Sequence, residues 1–326
     1  MRGPPEQKER SPDLLEQGEA SGIEALPKRV SRYGEAKRRA LDVAEYIGEY
    51  SKRVPGRDLV CSKRVQGADL ADLARRVAGC GDYLVFRHYW TVDQVRLHAA
   101  QFCKKHLLCP LCAIRRGCKA LQAYMPRYET VRASEPLLRP FLVTLTIKDG
   151  ADLAERFKHL HDAQRELWKR KHRGRGSVLD GVRAAVWSYE VKRGAGSGLW
   201  HPHLHMVAMA EQMPGAVQLR DEWHAITGDS FIVDVRPIDQ ADPASGFLEV
   251  FKYALKFSDM EPAETFEAFS VLKGKRLVAS AGLFRGIEIP EQLTDEPLDD
   301  LPYVELFYRF MGSGYSLNRA LGAIAP

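Results

Sequence analysis

Three histidines lie at alternate positions in one short segment, HPHLHMVA: His201, His203 and His205. Side chains alternate between the two faces of a β-strand, so on a strand these three rings project from the same side of a sheet. Convergent imidazoles favour a divalent metal site, and a carboxylate makes Mg²⁺ or Mn²⁺ admissible when a phosphate oxygen completes the coordination. Glu190, on the preceding predicted strand, is the nearest candidate carboxylate. A surface strand whose histidines face water is the alternative.

The segment GFLEVFKYALKF, residues 246–257, has two distinct faces when it is counted as a helix. Apolar residues at i, i+3, i+4 and i+7 form a core-facing stripe, and the opposite face carries Glu249, Lys252, Tyr253 and Lys256. Neighbouring lysines and a metal-polarised phosphate favour the phenolate form of Tyr253, which can attack a phosphodiester. Glu249 can then activate the water that hydrolyses the phosphotyrosine. An ordinary amphipathic helix with a Glu–Lys surface pair is the alternative.

The cysteines are concentrated in one part of the chain and include the pattern Cys103-x5-Cys109-x2-Cys112. The Cys-Pro-Leu-Cys knuckle allows two thiolates to hold one tetrahedral zinc ion, which then needs further ligands. A zinc held by four thiolates is structural, because no coordination position remains open to a substrate. Reduced cysteines in the core are the alternative.

The histidine and tyrosine segments lie in a region that alternates strands and helices. Residues 141–147, FLVTLTI, alternate apolar and polar positions and predict a strand. The pattern that follows predicts further elements in this order: a helix at 153–172, an antiparallel hairpin of strands at 183–191 and 203–210, a helix at 217–227 and a strand at 231–236. The order predicts an α+β fold with helices on one face of an antiparallel sheet.

The 326 residues carry a net charge of +5, which is a weak indication of an anionic partner. No apolar run approaches the ~20 residues that span a bilayer, and residues 1–20 are too charged for a secretory signal. A cytoplasmic protein without membrane contact is therefore expected.

Three segments in this order resemble the HUH endonuclease superfamily, specifically its plasmid rolling-circle replication initiators, over residues 80–285. FLVTLTI is similar to the first motif of that family, HPHLHMV to its histidine-hydrophobe-histidine motif, and KYALK to its tyrosine motif. The resemblance implies a ferredoxin-like antiparallel sheet with the metal and the tyrosine on one face. It also implies a metal-dependent DNA endonuclease and strand transferase that nicks one strand at a plasmid origin.

The same resemblance implies a role for each matching residue. His203 and His205 are metal ligands, Tyr253 is the nucleophile that forms a covalent 5′-phosphotyrosine, and Lys256 assists at the scissile phosphate. Glu249 corresponds to a carboxylate that activates water for termination.

Two ligand positions stay open at this point. The third catalytic metal ligand is Glu190 or His201. The resemblance suggests Cys80 as the fourth zinc ligand, whereas spacing alone also admits Cys118 or His106.

Origin DNA, single-stranded at the nick site, is the expected partner, and the resemblance adds a host helicase and a DNA polymerase. A dimer is compatible with the sequence. Trp168 offers an aromatic face for base stacking. The basic candidates for DNA contact lie in four places: directly after the cysteine knuckle, at the end of the predicted helix at 153–172, beside the tyrosine and in a KGKR run. In that order they are Arg115 and Arg116; Lys169, Arg170 and Lys171; Lys252; and Lys275 and Arg276.

We therefore expect a charged segment with one helix at residues 1–69, a cysteine-rich zinc module at 70–135, a nicking domain at 136–290 and a C-terminal segment at 291–326. A conjugative relaxase or single-strand transposase is the nearest alternative. Relaxases carry their tyrosine before the histidine motif, and single-strand transposases are shorter and lack a cysteine module. A zinc-containing DNA-binding repressor without catalysis is the alternative from another functional class.

Overall fold

A computed structural model describes residues 22–53, 57–60, 63–174, 176–252, 260–298 and 301–324. Its helices are α1 (Leu26–Arg53), α2 (Gly67–Ala78), α3 (Pro110–Ser134), α4 (Leu153–His172), α5 (Ala216–Thr227), α6 (Pro243–Phe251) and α7 (Pro262–Leu272). Its strands are β1 (Arg57–Val60), β2 (Lys63–Gln66), β3 (Tyr83–Tyr89), β4 (Gln94–Ala100), β5 (Arg139–Thr146), β6 (Ala184–Arg193), β7 (Trp200–Ala210), β8 (Val233–Pro237), β9 (Val278–Gly282), β10 (Tyr303–Phe310) and β11 (Tyr315–Ile324).

The central sheet has the strand order β8-β5-β7-β6-β9, and all its neighbouring strands are antiparallel. The unit β5-α4-β6-β7-α5-β8 has the chain order and the antiparallel pairing of a ferredoxin-like fold. The α+β class expected from the sequence is therefore confirmed. Strand β9 extends the sheet beyond β6.

Local signals explain where the helices of this unit begin and end. The side chain of Asp152 accepts a hydrogen bond from the Glu155 amide and caps the N-terminus of α4. Gly228 follows the last residue of α5, and its φ of 74° is a conformation that glycine adopts without steric cost. Helix α6 begins with Pro243 directly after its capping residue, Asp242.

The two faces of the central sheet are covered by different helices. Phe141, Val143 and Leu145 of β5 belong to one apolar core together with Phe157 of α4. Leu142, between them, belongs to a second core on the opposite face. The sequence predicted helices on one face; the structure has α4 and α5 there, and α3 and α6 on the other.

Aromatic rings hold α3 and α6 together on that second face. The Phe251 ring lies 5.1 Å from the Tyr124 ring, and the Phe247 ring lies 5.5 Å from the Tyr128 ring. Phe247 and Phe251 also share the second core with Val207 of β7. Helix α6 is thereby fixed over the same face of the sheet toward which the odd-numbered residues of β7 project.

A second antiparallel sheet has the strand order β11-β10-β3-β4. Its pairing joins distant parts of the chain, because His88 of β3 lies opposite Val304 of β10. Helix α1 covers one face of this sheet, where the Tyr33 ring stacks on Phe86 with 6.5 Å between centroids. The C-terminal segment, to which the sequence assigned no chemistry, therefore supplies half of this sheet.

A buried ion cluster ties α1, α3 and the C-terminal segment together. The Asp295 carboxylate accepts hydrogen bonds from Arg115, from the Leu97 amide at 2.7 Å and from Arg29 at 2.9 Å. Burial opposes ionisation of this carboxyl, but the two guanidinium charges outweigh it and hold the pKa of Asp295 well below its usual range.

In the described part of the chain, no helix is both long and apolar enough to cross a bilayer.

Candidate functional site

Cross-strand register brings a carboxylate to two of the three histidines. Glu190 of β6 lies directly opposite His203 of β7. Its carboxylate oxygens are 3.0 Å from Nε2 of His203 and 3.4 Å from Nε2 of His205. One ligand atom from each of the three residues lies within 4.8 Å of the others, so the group has the dimensions of a metal site. Of the two candidates that the sequence left open, Glu190 and His201, the geometry favours Glu190.

A second contact holds Nδ1 of each histidine ring. Nδ1 of His203 lies 3.3 Å from the backbone oxygen of His201. Because a carbonyl oxygen only accepts, this Nδ1 carries a proton, and Nε2 is the ring atom directed at Glu190. Nδ1 of His205 lies 3.1 Å from Oγ1 of Thr144, and this contact holds the second ring with its Nε2 toward Glu190. Contacts of this kind commonly orient metal-ligating histidines.

The charges in this group suit a bound cation. The Glu190 side chain is fully buried, and burial lowers the pKa of His203. A cation bound between Nε2 of His203 and the Glu190 carboxylate, which are 3.0 Å apart, would compensate the buried negative charge and accept the imidazole lone pair. Glu190, His203 and His205 can therefore hold a metal ion.

His201 lies outside this group and is held by another residue. Its Nδ1 lies 2.5 Å from the Asp149 carboxylate, just before α4, and Ser197 donates a hydrogen bond to the same carboxylate. Its ring centroid is 5.3 Å from that of His203. His201 flanks the metal group, and its backbone oxygen positions the His203 ring.

Helix α6 brings part of the tyrosine segment to the same face of the sheet. Nζ of Lys252 donates to Oε1 of Glu249 at 2.9 Å, one turn apart on the helix. The chain passes close to α3 here, because a Cβ added at Gly117 would lie 3.1 Å from the backbone oxygen of Phe251. Tyr253 and Lys256 lie outside the described residues, and Tyr253 follows Lys252 directly in sequence.

Four cysteine side chains converge at a second place. The Sγ atom of Cys80 lies 3.5 Å from that of Cys112 and 3.4 Å from that of Cys109, while Cys103 and Cys112 are 3.6 Å apart. Four sulfur atoms placed about 2.3 Å from one zinc ion would have a similar mutual spacing. All four cysteines are buried, and the group can hold a metal ion.

These four ligands come from three parts of the chain. Cys80 follows α2, Cys103 follows β4, and Cys109 and Cys112 lie at the start of α3. Hydrogen bonds from the other thiols lower the pKa of Cys103, and contacts within the group raise the pKa of Cys109 and Cys112. Cys118 and His106, the alternatives that spacing left open for the fourth position, are not members of the group.

Arg115 was predicted to contact DNA, and the structure contradicts that assignment. Its side chain is fully buried, where it donates hydrogen bonds to Asp295 and to the backbone oxygen of Leu293 at 2.7 Å. A guanidinium enclosed in this way is not accessible to a phosphate. Arg116 is partly exposed and donates to the backbone oxygens of Ile289 and Pro290.

The other basic candidates lie at or near the surface. Lys169, Arg170 and Lys171 form the last turn of α4, and Lys275 and Arg276 are exposed in the loop between α7 and β9. The prediction that Trp168 offers a face for base stacking is wrong. That ring is 9% exposed and stacks on Trp187, with 5.3 Å between centroids.

Sequence reasoning missed the residues that position the histidines. Thr144 orients His205, and Asp149 holds His201. Alternation within FLVTLTI was a usable signal for Thr144, since it places this side chain on the face opposite Val143 and Leu145. Asp149 lies in a loop, where no periodic pattern indicates which way a side chain points.

Comparison with known proteins places this arrangement in a family. A family model described as "Replication protein" matches residues 94–305, which include both strands of the metal group. The chain is 27% identical over 249 residues to "Protein rep" of Streptococcus pneumoniae serotype 2, strain D39, covering 71% of this chain and 76% of that protein. It is 25% identical over 254 residues to "Protein rep" of Lactiplantibacillus plantarum, covering 71% and 78%. No solved structure matches significantly. The chain therefore belongs to the replication protein family, in agreement with its resemblance to plasmid rolling-circle replication initiators.

Proposed function

We propose that this protein initiates plasmid rolling-circle replication by nicking and rejoining one DNA strand at the origin through a phosphotyrosine intermediate. The observation that carries the proposal is the buried Glu190–His203–His205 group on the sheet face that α6 covers. Helix α6 ends at Phe251, two residues before Tyr253. A metal group and a tyrosine that can reach the phosphate bound there are the parts that a tyrosine nickase requires.

Glu190, His203 and His205 would hold Mg²⁺ or Mn²⁺, as their carboxylate and imidazole donors allow. When bound, the ion would withdraw charge from a non-bridging oxygen of the scissile phosphate. The phenolic oxygen of Tyr253 would attack phosphorus, forming the Tyr–O–P bond and breaking the bond to the 3′-oxygen. The phenol gives up its proton and the departing 3′-oxygen gains one, so a 3′-hydroxyl primer and a 5′-phosphotyrosine result.

Lys252 and Lys256 flank the phenol in sequence and favour its deprotonated form. Glu249 is partly exposed and already forms an ion pair with Lys252. We assign Glu249 to the closing step, in which it takes a proton from water or from an incoming 3′-hydroxyl that attacks the phosphotyrosine. A host helicase and polymerase would act between the two steps.

The four-cysteine group would hold a structural zinc ion, because its thiolates fill a tetrahedral shell. The basic residues at the end of α4 and in the KGKR loop would contact the DNA backbone, together with Arg116 and Lys252.

The direct test is incubation of the pure full-length protein with its plasmid, or with origin single strands, and Mn²⁺, followed by denaturing electrophoresis. A covalent protein–DNA adduct is expected that disappears in EDTA and in the Tyr253→Phe variant. That variant should keep its affinity for origin DNA, since only the attacking oxygen is removed. The matched control is Tyr46→Phe, which removes a hydroxyl from α1, remote in sequence from this site, and should leave the adduct intact.

The outcomes separate the alternatives. An adduct that persists in Tyr253→Phe would contradict the assigned nucleophile. Origin binding with no adduct in any wild-type reaction would favour a zinc-containing repressor that does not cut DNA.

A further inference from the structure

The sheet β11-β10-β3-β4 has one face that the cores of the protein do not use. Its inner face carries Leu84, Phe86 and Leu306, which pack against the large core. On its outer face, Val85 of β3 lies opposite Phe307 of β10, and neither residue belongs to a core cluster of the described chain. We call this surface the outer face.

Aromatic rings lie along the outer face. The Tyr83 ring stacks on the Phe307 ring, with centroids 6.0 Å apart and planes inclined by 18°. Towards the other end of β3, the Arg87 guanidinium lies over the Tyr303 ring, 4.2 Å from its centroid. Tyr83, Phe307 and Tyr303 are all partly exposed. These rings and the guanidinium plane offer flat surfaces of the kind on which unpaired bases stack.

Positive charge accompanies the rings. Cross-strand pairing puts Arg96 beside Arg87 and Arg319 beside Phe307, and Arg309 lies opposite Tyr83. A carboxylate neighbour on this face is Glu305, which forms an ion pair with Arg87 at 3.0 Å. Arg309 and Arg319 are exposed, so their charges are accessible to a partner.

We propose that the outer face is a second DNA-binding surface, on which single-stranded DNA lies with its bases on Phe307, Tyr83 and the Arg87 guanidinium that covers Tyr303, and its phosphates beside Arg96, Arg309 and Arg319. Stacking requires unpaired bases, and the guanidinium groups complement the phosphate charge, so a single strand fits this face better than a duplex. The outer face lies on a sheet separate from the one that carries the metal group. The proposal rests on the proposed function only for the identity of the ligand, because strand binding here needs no cleavage.

The test uses the full-length protein, EDTA and a fluorescent oligothymidine of about 20 nucleotides, longer than the site size of most single-strand-binding folds. Fluorescence anisotropy measures its affinity. Phe307→Leu keeps apolar volume over Tyr83 but removes the aromatic face, and about tenfold weaker binding is expected. Phe307→Trp should bind as well as the wild type or better, because it retains a stacking surface.

A charge variant gives an independent readout that does not depend on core packing. Arg309→Gln combined with Arg319→Gln removes two exposed charges and should flatten the plot of log K against log salt by about 0.7 for each phosphate that the protein no longer neutralises. The matched control combines Arg75→Gln with Arg220→Gln, since these exposed arginines pair with carboxylates on their own helices. The control should leave the slope unchanged.

The proposal would be overturned by a wild-type protein that does not bind oligothymidine, or by Phe307→Leu and charge variants that bind like the wild type. The proposal would also be contradicted if these variants weakened binding to a blunt duplex as much as they weaken binding to oligothymidine, since paired bases do not stack on the rings. If sedimentation showed that these variants change the mass of the assembly in solution while their affinity for oligothymidine stays the same, the outer face would instead join two copies of the chain.

Adduct formation separates this proposal from the proposed function. His203→Ala combined with His205→Ala should abolish cleavage and leave oligothymidine affinity within about twofold, because the metal group lies on the other sheet. Retained cleavage with unaltered binding in the outer-face variants would reject the second surface alone. Reduced binding in those variants, with no adduct from the wild type, would reject the nickase alone.

Discussion

Nε2 of His203 lies 3.0 Å from Oε1 of Glu190, a carboxylate with no exposed surface. The two residues are direct partners on neighbouring strands, so sheet register sets their distance and no flexible loop intervenes. A group built on strands can hold its ligand atoms more precisely than one built on loops.

The Glu190→Gln variant keeps the shape of the side chain but removes its charge. We expect Mn²⁺ affinity to fall by at least about tenfold, measured by isothermal titration, because a neutral amide is a weaker ligand for a hard cation. His201→Ala should bind Mn²⁺ within about twofold of the wild type, since this ring lies outside the group. A larger reduction in His201→Ala than in Glu190→Gln would contradict the ligand assignment.

Replacing Glu249 by Gln should separate the two chemical steps. If Glu249 accepts a proton only in the closing step, the variant forms the phosphotyrosine adduct at the wild-type rate but releases it about 100-fold more slowly. A time course of adduct on denaturing gels measures both rates. Failure to form the adduct at all would assign Glu249 to the first step.

The zinc assignment is tested by metal content. Cys80→Ser should lose zinc, measured by elemental analysis of the purified protein, and should melt at a lower temperature because three parts of the chain are no longer joined. Cys118→Ser is the control, since Cys118 is buried on α3 but is not part of the group. Equal zinc content in both variants would show that Cys80 is not a ligand.

Asp295→Asn leaves two buried guanidinium groups without their shared carboxylate, so we expect a decrease of about 3–5 kcal/mol in the free energy of unfolding. The carboxyl pKa is lower in the folded state than in the unfolded state. Its contribution is therefore complete above about pH 4 and decreases as the pH falls further towards the folded-state pKa. Urea titrations at several pH values should show the gap between wild type and variant narrowing below about pH 4. Asp162→Asn, which breaks an exposed pair with Lys158, should cost less than about 1 kcal/mol.

Gly117→Ala tests whether α3 positions the end of α6. The new Cβ would lie 3.1 Å from the Phe251 oxygen, so one helix must move by a few tenths of an ångström. We expect adduct formation to slow by about tenfold, since a small misplacement of a nucleophile is costly. In α1, Gly48→Ala meets its nearest neighbour at 3.9 Å and should have the wild-type rate. Equal rates for both variants would contradict the positioning role.

The sequence predicted those elements that local signals determine. Helix α4 was predicted at residues 153–172, where the structure has it. The residue pattern that indicates a helix is local, and so is the Asp152 cap that the structure shows at its start. Glu190 could be named as a ligand candidate for the same reason, since a hairpin brings neighbouring strands together.

The features that the sequence did not predict depend on packing between distant parts of the chain. Arg115 follows the cysteine knuckle and looked like a DNA contact, but its partner Asp295 is 180 residues away. The rings of the outer face are similarly divided between β3 and β10, and neither strand alone predicts the surface. Pairing between distant strands is not encoded in any local pattern.

The pairing of β3 with β10 also sets an order of assembly on the ribosome. All strands of the central sheet are synthesised after β3 and before β10. At a synthesis rate of about 5–20 residues per second, β3 is made roughly 10–40 seconds before β10. The unit that carries the metal group can therefore form while the sheet β11-β10-β3-β4 is still incomplete, and the nascent chain would expose the edge of β3 to chaperones during that interval.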